Sequence, residues 1–109
     1  MISVKIFKNR NGEYQGFNCL GHAGYDDEGK DIVCASVSMI VINTINSIET
    51  FTSDVFTCKS DEKTGEISFK FVDSPSKEAT LLVDSLVLGL KGIVKEYGKA
   101  YLKLLIKEV

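Results

Sequence analysis

Residues 32–51 read IVCASVSMIVINTINSIETF, and the conformation of this stretch decides everything built around it. It is rich in β-branched residues, which by propensity alone favour a strand. Its length argues against one, since strands rarely exceed about ten residues. Val37, Val41, Ile45 and Ile48 step by four, four and three, which sets them along one side of a helix. Asp31 stands just before the stretch, and its carboxylate can accept from the unpaired backbone N–H groups of a first helical turn. The expectation is a capped helix from Ile32 to about Phe51 with one apolar face.

Toward the N-terminus, Ile2, Val4 and Ile6 alternate with Ser3, Lys5 and Phe7, a period-two pattern that reads as a strand. Asn9-Arg10-Asn11-Gly12 is turn chemistry. It leads to a second strand, Tyr14 to Leu20, with Phe17 and Cys19 on one face, so the two strands form a hairpin. Beyond the helix, Val55–Lys59 and Glu66–Val72 read as another hairpin, joined by residues 60–65. Ser74-Pro75 opens a second helix, with the proline at the first helical position. Its apolar stripe is Ala79, Leu82, Val83, Leu86, Leu90, Ile93, Val94 and Tyr97, and Gly98 is placed to end it. Residues 100–107 form a last strand. The order ββαββαβ implies an α+β fold: a single mixed or antiparallel sheet with both helices packed on one face. Residues 1–109 show no linker or repeat and are expected to form one domain.

With 44% hydrophobic and 26% charged residues, the chain has the balance of an ordinary globular protein. A net charge of −2 and a pI near 5.4 argue against direct contact with nucleic acid, which needs a basic surface. The N-terminus is neither a signal nor a transit peptide, and no window is expected to supply the roughly 18 apolar residues of a membrane span. A cytoplasmic setting with reduced thiols follows. Cys19, Cys34 and Cys58 are an odd number with no CxxC pair, and with one histidine they do not match zinc-ligand spacings. No metal or cofactor is expected.

His22, the only histidine, falls just past the second strand, and Cys34 is the third residue of the capped helix. A helix N-terminus beside a histidine lowers a thiol's pKa and makes a nucleophile. The intervening loop can fold back at modest entropic cost. Ser38 lies one turn beyond Cys34 on the same face. Asp31 reads first as a cap, with an orienting role as the alternative. Gly24, Tyr25, Asp26, Asp27, Glu28, Gly29 and Lys30 make up an acidic loop whose glycines permit movement, as a lid between catalytic partners would require. Buried free cysteine is common and mostly inert, so a packed structural Cys34 is the competing reading. Cys19 and Cys58, within strands, read as core fillers.

The stretch GHAGYDDEGKDIVCASVS, residues 21–38, resembles the signature of the bacterial ribosomal-processing cysteine protease family, Prp, in which a GHA element precedes a DIVCA-S element. Both halves match at the expected separation. The resemblance implies a Cys–His endopeptidase, a single cysteine protease domain, that removes a short N-terminal extension from a large-subunit ribosomal protein. It implies His22 as general base, Cys34 as nucleophile, Asp31 and Ser38 as supporting residues, and a flexible loop over the site at residues 24–30. It also implies a homodimer. The oxyanion is expected to meet backbone N–H groups at the helix start, Cys34's among them, and the acidic loop to attract a basic substrate tail. The alternative is a non-catalytic ribosome- or RNA-associated module presenting an open sheet. Against it stand the acidic pI and the expectation that Phe69 and Phe71, which flank Lys70, turn to the core.

Overall fold

Alternation at Ile2, Val4 and Ile6 produces the strand it implies. The computed structural model describes residues 1–27 and 30–109, and β1 spans Ile2–Lys8 with these three residues buried. The remaining elements are β2 (Tyr14–Leu20), α1 (Ile32–Phe51), β3 (Phe56–Asp61), β4 (Glu66–Phe71), α2 (Lys77–Tyr97) and β5 (Leu102–Glu108). The strands form one sheet in the order β3-β4-β2-β1-β5. β5 pairs with β1 in parallel, and the other pairs are antiparallel. The fold is the expected mixed sheet with two helices on one face, and the return of the chain through α2 is what makes β5 parallel to β1.

The core lies between the inner face of the sheet and the helices. Phe17 stacks on Phe69 at 4.7 Å between ring centroids, with Phe56 and Phe71 around Phe69. Burial of each such side chain contributes roughly 1.5–3 kcal/mol. α1 buries Val33, Val37, Val41, Thr44, Ile45 and Ile48. Thr44 is tolerated because its hydroxyl donates to the Ile40 carbonyl at 2.7 Å, so the polar group is paired rather than stranded. α2 buries Ala79, Val83, Leu86, Val87 and Leu90.

Three expectations need correction. Pro75 lies one residue before the N-cap of α2, not at its first helical position. Ser76 caps instead, its hydroxyl accepting from Ala79 N–H at 3.0 Å while its own N–H donates to Asp54 at 2.7 Å. Cys58 is exposed, because β3 is the sheet's edge; only Cys19 is a core thiol. Third, α1 contains an 18-residue window of mean hydropathy 1.5 and is, by length and composition, apolar enough to cross a membrane. In this fold its buried face lies against the sheet, and Ile32, Met39 and Ile42 stay exposed on the other side.

Candidate active site

β2 ends at Leu20, and the next three residues carry the chain over the end of the sheet. Gly21, at φ +97°, donates its N–H to the Thr64 carbonyl at 3.1 Å, which ties the strand end to the β3–β4 turn. Gly65 in that turn has φ +69°, and a Cβ there would lie 2.8 Å from the Gly21 carbonyl oxygen and 3.4 Å from Cε1 of His22. The turn thus forms a floor beneath the imidazole that closes only because residue 65 has no side chain. His22 is otherwise exposed.

Across the cleft, Cys34 is the third residue of α1, as its spacing from Asp31 requires. Its Sγ accepts from the backbone N–H of Ala23 at 3.0 Å. That bond joins the residue after the histidine to the thiol and closes the loop at its neck. His22, Asp31, Cys34 and Ser38 all line one cleft of about 370 Å³, with Gly24, Asp26 and Ala35. Ser38 sits on the exposed side of α1, one turn beyond Cys34. Among the described residues, no group of three or more His, Cys, Asp or Glu side chains is arranged to hold a metal ion.

Asp31 organises this end of the molecule. Oδ1 accepts from Val33 and Cys34 N–H, each at 3.0 Å, and Oδ2 accepts from Tyr25 N–H at 2.9 Å and Asp26 N–H at 3.4 Å. Burial pushes its pKa up, but the N–H donors of Cys34, Tyr25 and Asp26 outweigh burial and hold it below the usual carboxylate value. The carboxylate therefore stays charged inside the fold.

This arrangement corrects two expectations. The Cys34 N–H is spent on Asp31, as is that of Val33, so neither faces an oxyanion from the cleft. Nor is the thiol activated by the helix start. Burial raises its pKa, the Ala23 N–H lowers it, and the charge and hydrogen bond of Asp31 raise it again, leaving it above the ordinary thiol value. A carboxylate that caps the helix cancels the positive end of the dipole where it would have favoured a thiolate.

Of the acidic loop, Glu28 and Gly29 lie outside the described residues. The described part is tied down: beyond the two bonds to Asp31, the Tyr25 ring meets Tyr97 and Tyr101 edge-on, at 5.7 and 5.0 Å between centroids. Tyr97 and Tyr101 were not legible as neighbours of the site. Tyr97 reads only as the last apolar position of α2, and nothing local links either residue to Tyr25.

The family model for cysteine protease Prp matches residues 1–103. The ribosomal processing cysteine protease Prp of Staphylococcus aureus is 31% identical over 99 residues, covering 91% of this chain and 93% of the relative. The crystal structure of the S. aureus protease with a covalently linked product peptide superposes with a TM-score of 0.92 at 31% identity, covering 98% of this chain and all of that one. The same protease with a substrate peptide gives 0.87 at 30% identity and the same coverage.

Proposed function

This chain belongs to the Prp family of cysteine proteases, and we propose that it is an endopeptidase that trims a short N-terminal extension from a large-subunit ribosomal protein, with Cys34 as nucleophile and His22 as general base. The observation that carries this reading is the Ala23 N–H bond to Cys34 Sγ in a cleft that His22 also lines. The S. aureus protease structures with a product peptide and with a substrate peptide support a peptide substrate.

The thiol is protonated in the resting protein, because its pKa is raised. His22 therefore accepts the Cys34 proton as the sulfur attacks the scissile carbonyl, rather than from a standing ion pair. The imidazolium then protonates the leaving amine, and the acyl group remains on Sγ as a thioester. A water that gives its proton to His22 hydrolyses that thioester. The Ala23 N–H already reaches the sulfur, so it is a donor within range of a carbonyl oxygen carried on that sulfur. Asp31 holds the helix start and the loop in register, and Ser38 offers its hydroxyl to the substrate. Residues 24–27 move aside to admit the peptide, and Asp26 and Asp27 draw in a basic tail.

We place the protein in the cytoplasm with its ribosomal substrate. We also propose a homodimer, supported by the exposed apolar residues Ile32, Met39 and Ile42 on α1; analytical ultracentrifugation giving a monomer at micromolar concentration refutes it. The decisive test of the activity is incubation of wild type and Cys34→Ala with a ribosomal protein bearing its N-terminal extension, read by mass spectrometry. Wild type removes the extension at one bond and the variant does not. An intact extension after incubation with folded wild type refutes the proposal.

A further inference from the structure

Both helices cover one face of the sheet, and the strand register fixes what the other face carries. Lys5 of β1 sits beside Leu105 of β5 and Asn18 of β2; Phe7 sits beside Lys107 and Gly16. Gly16 and Asn18 lie beside Lys70 and Ser68 of β4, which face Thr57 and Lys59 of β3. Lys103 completes the set on β5 beside Ser3. The open face therefore bears five lysines, at 5, 59, 70, 103 and 107, against two acids, Asp61 and Glu66. Those two acids form one pair at the β3–β4 turn end. In a chain of net charge −2, this face has the opposite sign to the whole.

Protection of sheet edges does not account for the pattern. Lysines on edge strands discourage edge-to-edge pairing, which covers Lys59 on β3 and Lys103 and Lys107 on β5. Lys5 and Lys70 stand on the interior strands β1 and β4. Strand spacing near 4.8 Å and about 6.8 Å between alternate residues set the five ammonium stems on a grid on the order of 8–15 Å apart.

The face also has a hollow. A Cβ on Gly16 would collide with the Phe69 carbonyl oxygen, so that position stays bare. Phe7, Gln15, Gly16, Ser68, Lys70 and Val109 are among the residues around a depression of about 290 Å³. One wall is the half-buried Phe7 ring, and another is a lysine. Aromatic rings on a sheet that stack bases, ringed by lysines that follow the backbone, are the general means of holding single-stranded RNA.

We propose that the open sheet face binds single-stranded RNA, with phosphates along the lysine rows and one base in the Phe7–Gly16 hollow. A lipid surface fits less well: the face offers a depression rather than a protruding apolar anchor, and Phe7 and Leu105 are half-buried. The choice of RNA as the polyanion draws on the ribosomal-protein reading above, since such a substrate resides on RNA; the lysine face does not depend on it. A whole-chain charge balance, which points away from nucleic acid, averages over two faces of opposite sign.

The test uses the full chain and a fluorescein-labelled 12-nucleotide uridine-rich RNA, with anisotropy read from 50 to 200 mM KCl. Five phosphate contacts give a slope of log K against log salt of about −3.5, or roughly a 100-fold loss over that range. Lys5→Gln with Lys70→Gln flattens the slope by about 1.4, and Phe7→Ala weakens binding about tenfold with the slope unchanged. Cleavage of a free peptide by the double-lysine variant stays at the wild-type rate, so this proposal and the peptidase reading fail separately. No binding at 50 mM KCl, or equal binding and slope in the double-lysine variant, overturns it. So does binding to phosphatidylglycerol vesicles without binding to the RNA.

Discussion

Replacing Gly65 by alanine isolates how the β3–β4 turn holds the histidine. Two separate effects are expected, and a second glycine separates them. Gly65 and Gly12 have φ of +69° and +79°, but a Cβ on Gly12 meets nothing within 4 Å. Placing alanine in the left-handed region costs roughly 1–2 kcal/mol at either site, a fall in Tm of about 4–8 °C per kcal/mol for a domain of this size. Gly65→Ala must in addition move the Gly21 carbonyl, 2.8 Å from the new methyl, by several tenths of an ångström. His22 is the next residue, and its Cε1 would lie 3.4 Å from the new methyl, at the near edge of van der Waals contact. A misplacement of about 1 Å can cost about 100-fold in rate, so this smaller shift predicts roughly a tenfold fall in kcat, with KM within about twofold. The assay is steady-state cleavage of a fluorogenic peptide by both variants, well below their measured Tm. Gly12→Ala keeps wild-type kcat. Equal kcat for the two variants refutes the idea that the turn positions the imidazole.

Other outcomes follow from the site's charges and its aromatic contact. In a Cys58→Ser background, which removes the exposed competing thiol, the iodoacetamide rate at Cys34 climbs with pH and reaches half its plateau above the ordinary thiol range, as the raised pKa requires; a midpoint near 7 on peptide mapping contradicts it. Asp31→Ala removes an acceptor shared by four N–H groups and lowers stability by about 2 kcal/mol in urea denaturation. Because the fold lowers the Asp31 pKa, its contribution is present above the unfolded carboxylate value and is lost as pH falls through the lower folded one, so the difference between wild type and Asp31→Ala shrinks below about pH 4. Tyr97→Ala with Tyr101→Ala frees the Tyr25 ring and, at a pH high enough to ionise Cys34 in both proteins, speeds its alkylation several-fold through greater access; an unchanged rate means that the aromatic contact does not restrain the loop.

How far the sequence could be read depended on whether the determining contact was local. Period-two alternation in β1 and β2, the four-four-three step in α1 and the Asp31 cap are properties of neighbouring residues, and all survive in the structure. Strand order was not accessible, because the parallel β1–β5 pairing joins residues about one hundred positions apart. Cys58 shows the same limit. Its alternation points toward the core, but the sheet ends there. At the site, the spacing of His22, Asp31, Cys34 and Ser38 marked residues that do line one cleft. The charge state of the thiol departs from the expectation for a physical reason: the residue that makes a good cap also sets a negative charge beside the sulfur. The Gly65 floor and the tyrosine cluster come from segments distant in the chain and carry no local pattern.

Asp31 divides its two oxygens between the start of α1 and the loop, so these two parts cannot change independently. When Tyr25 and Asp26 withdraw their N–H groups, Oδ2 loses donors that spread its charge, and the field at Cys34 grows more negative. An open loop thus disfavours a thiolate, and a closed one favours it. Thermodynamic reciprocity then runs the other way: negative charge gathering at the sulfur pulls the loop shut. One carboxylate is enough to make closing the loop and ionising the Cys34 thiol two aspects of a single equilibrium.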